Sequence, residues 1–210
     1  MLEQAADFLA ILDSALARDL YEKARAIEPE NPRWTLKLAR LHSQNTLRGN
    51  DSALEAKLAL AEAERALAMG SRDGNLAQMA FDAGDMIKAR AYAEQSLSTA
   101  AATRVGWNVG NLIHKGNLVL GRIAVREGRI ADALLFLGRS GETPGSPQLN
   151  SFGPNMSLAR DLLVAGETEV VLAYFESCRA FWKMGGNQLD RWTVEVRAGK
   201  VPNFGANLRY

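Results

Sequence analysis

At 210 residues, with Lys+Arg at 25 against Asp+Glu at 24, the chain is long enough for a substantial core and carries a formal net charge of +1. A balance this even offers a polyanion nothing general to hold, so no nucleic-acid partner is expected, and no run approaches the roughly 18 apolar residues of a membrane-spanning helix. The lone cysteine, Cys178, excludes an intramolecular disulfide and fits a reducing compartment; with no basic leader ahead of Glu3, Asp7 and Asp13, a cytoplasmic location is expected.

In chain order, Phe8, Leu9, Leu12, Leu16, Leu20, Ala24 and Ile27 recur at threes and fours, which predicts helix over residues 2–28, with a possible break at Arg18-Asp19. Pro29 and Pro32 stop it, because proline neither donates the helical hydrogen bond nor accepts a helical predecessor. Trp34, Leu38 and Leu41 mark a second helix that gives way to a loop over 43–50. Residues 53–69 are almost all strong helix formers, with Asp51 or Ser52 as cap. A short helix over 75–81 turns at Gly84 into another over 86–97. The stretch 98–110 is ambiguous: Trp107 and Val109 call for burial while Gly106 and Gly110 weaken a helix.

Asn117 to Leu137 is the clearest unit. Leu120, Ile123 and Ala124 form one apolar stripe, and Ile130, Ala133, Leu134 and Leu137 another, folded back at Glu127-Gly128-Arg129. Gly121 and Ala133 are small where two helices approach. Residues 138–154, dense in glycine and proline, are expected to be a loop. Asn155 then caps a helix over 156–164, Gly166 turns the chain, and 170–182 form the most aromatic helix. Gly185-Gly186 breaks it before a last helix around Leu189, Trp192 and Val196, followed by an extended tail that lays Phe204, Leu208 and Tyr210 on the final helices.

The turn glycines Gly84, Gly128 and Gly166 stand 44 residues (84 to 128) and 38 residues (128 to 166) apart. The same register repeats around each. Leu76-Ala77, Leu120-Gly121 and Leu158-Ala159 precede the glycine; Ala80, Ala124 and Leu162 follow them; Ala89, Ala133 and Val171 come five after it, with Ala93, Leu137 and Phe175 four further on. This pattern resembles the tetratricopeptide repeat, whose period is about 34 residues, and Tyr21 to Pro32 resembles the end of such a repeat. It departs from the family where Asp73, Asn117 and Asn155 replace the first large residue. The resemblance implies an all-α fold, a right-handed α-solenoid of antiparallel helical hairpins over 1–182, with a C-terminal capping helix and tail over 183–210. It also implies a non-catalytic protein–protein interaction scaffold that holds a peptide or partner helix in a concave groove.

By that resemblance the groove carries Gln78, Asn111, Lys115, Arg122, Arg126 and Arg160. Arg122 and Arg126, one turn apart, either hold an acidic peptide bidentately or belong to a solvated face neutralised by Glu127 and Asp132. Asn108, Asn111 and Asn117 with His114 either bind a peptide backbone or cap helices and close turns. Ser151, Phe152 and Asn155 form a binding lip, or their loop is a rigid spacer between hairpins. No metal site, cofactor or paired acid and base is visible. Two alternatives stay open: the regulatory region of a larger transcription or signalling protein, and a small-ligand receptor or enzyme using Arg122, Arg126 and the 138–154 segment.

Overall fold

The structure is a computed structural model and describes residues 2–46, 51–71, 75–103 and 105–208. Asp73, the tip of the expected 43–50 loop and Tyr210 lie outside the described residues. Among those described there are twelve α-helices, two short 3-10 turns and no strand. None of these helices is long and apolar enough to cross a membrane. The chain divides into two units, 1–89 and 90–210.

In the first unit, α1 (Leu2–Leu12), α2 (Ser14–Ile27), α3 (Pro32–Thr46), α4 (Ser52–Ala68) and α5 (Leu76–Asp82) pack each on the next in sequence. The break between α1 and α2 falls at Asp13, not at Arg18-Asp19. The Asp13 carboxylate accepts the Leu16 N–H at 3.0 Å, and this N-cap outweighs an otherwise continuous apolar pattern. Tyr21, Trp34, Leu38 and Leu41 form the core of this unit with Ala6, Ala17 and Ala24. Partly buried charge is paired in this unit: Lys37 holds both Asp7 oxygens at 2.7 Å, and Arg25 holds Glu62 at 3.0 Å. Helix α3 continues through Thr46, into the expected loop, because His42 contacts Glu55 of α4 at 2.7 Å and the Thr46 hydroxyl donates to the His42 carbonyl. Helix α4 turns Ala56, Ala59, Ala63 and Ala66 inward, a face that lets α3 approach closely.

Helix α6 (Met86–Thr103) runs across the division and extends beyond Leu97. Trp107, expected to be buried, is 72% exposed, while Val109 opens α7 and is buried. In the second unit, α7 (Val109–Arg126) packs on α8 (Ile130–Gly141), and α10 (Ser157–Val164) on α11 (Thr168–Arg179). The two hairpins meet first helix on first and second on second: α7 touches α10, and α8 touches α11. Gly121 permits that contact, since a Cβ there would sit 2.3 Å from Leu158 Cδ2 and 3.1 Å from Phe136 Cβ.

Five helices end the same way. At Gly70, Gly84, Gly128, Gly166 and Gly199 φ is positive, and the next residue donates to the carbonyl five positions back, as Arg129 does to Ala124 and Glu167 to Leu162. These are Schellman caps, which favour glycine because a Cβ disfavours left-handed backbone. Three of the repeated positions are fully buried: Ala80, Ala124 and Leu162, then Ala89, Ala133 and Val171, then Ala93, Leu137 and Phe175 are all inaccessible to solvent, while Leu76 of the first position is half-buried.

Residues 138–154 are not a loop. Helix α8 continues through Gly138 to Gly141, and α9 (Pro147–Phe152) starts at Ser146, whose hydroxyl accepts the Leu149 N–H at 3.0 Å. Glycine within α8 is compensated by proximity to α11, because a Cβ at Gly141 would meet Ser177 Cβ at 3.0 Å and Tyr174 at 3.1 Å. Only 142–146 and 153–156 are irregular here. Helix α11 stops at Arg179, short of Trp182; a 3-10 turn over Lys183–Gly185 leads into α12 (Gly186–Arg197). The tail is folded at its end, where Gly205–Leu208 make a second 3-10 turn. Trp192 of α12 is fully buried among Phe175, Trp182 and Phe204, its ring 4.9 Å from Phe204 in an edge-on contact.

Candidate functional site

Helix α7 carries half of the candidate residues, and its two polar faces have different duties. Asn111 and His114, three apart, share the inward face and are buried. Together with Gly110 they hold the connector from α8 to α10. A Cβ at Gly110 would lie 2.0 Å from the Gly145 carbonyl oxygen, so only glycine admits the connector at this distance. The Thr143 hydroxyl donates to the Gly110 carbonyl at 3.1 Å, and the Ser146 hydroxyl to Asn111 Oδ1 at 2.8 Å.

His114 is the centre of this network. Its Nε2 accepts the Asn155 backbone N–H at 2.9 Å, so the ring proton sits on Nδ1 and is donated to the Ser140 carbonyl at 3.0 Å. Burial, aided by the nearby Lys115 charge, lowers its pKa to about 4, against the opposing pull of the Ser140 carbonyl. Both ring nitrogens are therefore occupied and the ring is neutral at pH 7. It acts as a latch between α7, the end of α8 and the start of α10, and has no nitrogen left for proton transfer.

Asn155 is buried, not part of an exposed lip. Its carbonyl accepts from Tyr174 at 3.3 Å and its side chain accepts the Ser157 N–H at 2.8 Å. From the tail, the Asn207 amide donates to the Phe152 and Pro154 carbonyls at 3.0 and 2.9 Å. Ser151 and Phe152, by contrast, are exposed at the end of α9. Asn117 closes on its own helix, donating to the Ile113 carbonyl at 2.8 Å.

The cationic candidates do not stand together as an open pair. Arg122 Nε binds Asp161 of α10 at 2.9 Å, with only 13% of its side chain and 21% of Asp161's exposed. Arg160 Nη2 reaches the other oxygen of Asp161 at 3.2 Å. Asp161 thus lies between two guanidinium groups and joins the stacked hairpins. Arg126 is exposed and Lys115 half-buried on α7. Glu127 binds Arg90 and Arg129, and Asp132 binds Arg129. Gln78 belongs to the first unit, where it donates to Asp82 at 2.7 Å.

Asp161 is the residue that sequence reasoning missed. The signal was present, because Arg122 and Arg160 occupy the same place six residues before their turn glycines and Asp161 adjoins one of them. Cys178 is fully buried, and burial pushes its thiol pKa upward, against the hydrogen bond with Tyr174. That disfavours the thiolate a nucleophile needs. Among the described residues, no three His, Cys, Asp or Glu side chains gather as a metal site. Comparison with known protein families, curated proteins and solved structures finds no match.

Proposed function

We propose that this chain is a non-catalytic protein-interaction module, a right-handed solenoid of tetratricopeptide-like hairpins. In this reading α7 and α10 present the peptide-binding face of the second unit. The reading is carried by the parallel stacking of two hairpins, α7 on α10 and α8 on α11, with matched Schellman caps at Gly128 and Gly166. A helical-repeat scaffold exposes one helix of each hairpin as a surface for extended partners. Lys115, Arg126 and Arg160 give that surface positive charge and favour an acidic segment. The half-buried trio Arg122, Asp161 and Arg160 sets the geometry between hairpins.

A protein partner is also supported by the first unit, where Phe8, Ile11, Leu12 and Leu16 are exposed on α1 and the start of α2. Exposed apolar clusters of this kind mark contact surfaces more often than catalytic ones. The test is comparative affinity capture followed by mass spectrometry, using the wild type and the triple reversal Lys115→Glu, Arg126→Glu, Arg160→Glu. Partners enriched by the wild type and lost from the reversal support the reading. An identical set captured by both would refute the α7–α10 face.

A further inference from the structure

We infer that the C-terminal end of the second unit holds a separate recognition cleft for an apolar side chain adjoining a carboxylate, as in an acidic peptide segment. Three stretches distant in sequence build it: Ser151 and Phe152 at the end of α9, residues 182–191, and the tail over 203–207. The cleft is open-sided and has a volume of about 560 Å³, within the range of small-ligand sites.

Its aromatic wall is fixed. A Cβ at Gly185 would lie 2.1 Å from the Trp182 ring, and one at Gly153 would lie 2.5 Å from it, so the indole is held between two glycine backbones. Trp192 packs behind Trp182 at 5.8 Å and behind Phe204 at 4.9 Å. Trp182 is only 7% exposed and Phe204 only 2%, so these rings form a rigid floor, and the apolar contact area of the cleft comes from its rim. At the rim, Phe152 is 57% exposed and Met184 is 80% exposed, an adaptable apolar pair.

Among the described residues, Arg191 is the only charged one lining this cleft. Its Nη2 donates to Gln188 Oε1 at 2.8 Å, which orients the guanidinium, while its nearest paired carboxylate, Glu195, is 3.9 Å away and beyond hydrogen-bond distance. A cation so placed beside Phe152, Met184 and Trp182 complements a ligand that presents an apolar side chain and a carboxylate together. This cleft shares no residue with the α7–α10 face, so either site can fail without the other.

The probes are N-acetylated dipeptide amides, Ac-Phe-Glu-NH2, Ac-Phe-Gln-NH2 and Ac-Ser-Glu-NH2, titrated into ¹⁵N-labelled protein to about 10 mM, where weak contacts register. Shifts are expected at 151–152, the Trp182 indole, 184–191 and 203–207. Ac-Phe-Glu-NH2 is expected to bind roughly three- to fivefold tighter than Ac-Phe-Gln-NH2, the scale of an exposed ion pair. Arg191→Ala removes that preference, and Met184→Ser weakens both Phe probes. The inference is overturned if no shifts appear at these residues, if the Glu and Gln probes bind equally, if Ac-Ser-Glu-NH2 matches Ac-Phe-Glu-NH2, or if Arg191→Ala keeps the preference.

Discussion

Acid should unlatch the second unit through His114. The ring is buried with both nitrogens engaged, and its pKa falls from 6.5 to about 4 on folding. Because the folded value is depressed, the unfolded chain takes up the proton first as pH falls. The full contribution is therefore present above about 6.5 and is lost progressively down to about 4. A difference of about 2.5 pH units corresponds to roughly 3 kcal/mol, of which about 2 kcal/mol is gone by pH 5. Urea unfolding at pH 8, 7, 6 and 5, for wild type and His114→Gln, isolates this effect from the carboxylates that both proteins share. At pH 8 the variant should be about 1–3 kcal/mol less stable, since one of the latch's backbone partners is left unpaired. The gap should then narrow toward pH 5 as the wild type loses its advantage. Parallel losses in the two proteins, or a His114 ring that titrates near 6.5 in the native state, would refute the reasoning.

Other expectations are equally direct. Gly110→Ala drives a Cβ into the Gly145 backbone and should cost at least the 1–3 kcal/mol typical of overpacking, read as a lowered urea midpoint. Gly121→Leu should cost about 1–3 kcal/mol by pushing Leu158 and Phe136 aside; an unchanged midpoint would mean that α7 and α10 do not touch there. A double-mutant cycle of Arg122→Ala with Asp161→Asn should give a coupling of about 1–3 kcal/mol, against the near-zero value of a solvated pair. Cys178 should resist Ellman's reagent in the native protein and react once urea exposes it.

The helices were legible because their apolar spacing and turn glycines are local signals. Gly84, Gly128 and Gly166 all proved to be left-handed caps, and the register positions that follow in each hairpin, such as Ala89, Ala133 and Val171, are buried. What local pattern could not supply was tertiary compensation. Glycines 138 and 141 read as breakers, yet close packing of Gly141 on Tyr174 and Ser177 accommodates helix there. Trp107 read as core by its type alone and is exposed. At the candidate site, the pairing of Arg122 with Asp161 spans 39 residues and follows from hairpin stacking, not from spacing along α7. His114 and Asn155 looked like separate polar residues; the fold brings them together because the connector crosses α7 at Gly110.

The most direct measurement of the central claim is hydrogen–deuterium exchange on the protein alone and bound to a partner recovered by affinity capture. The α7–α10 reading predicts new protection over 109–126 and 157–164, with α8 and α11 unchanged. Protection confined to α8 and α11, or no change in either hairpin, would contradict it.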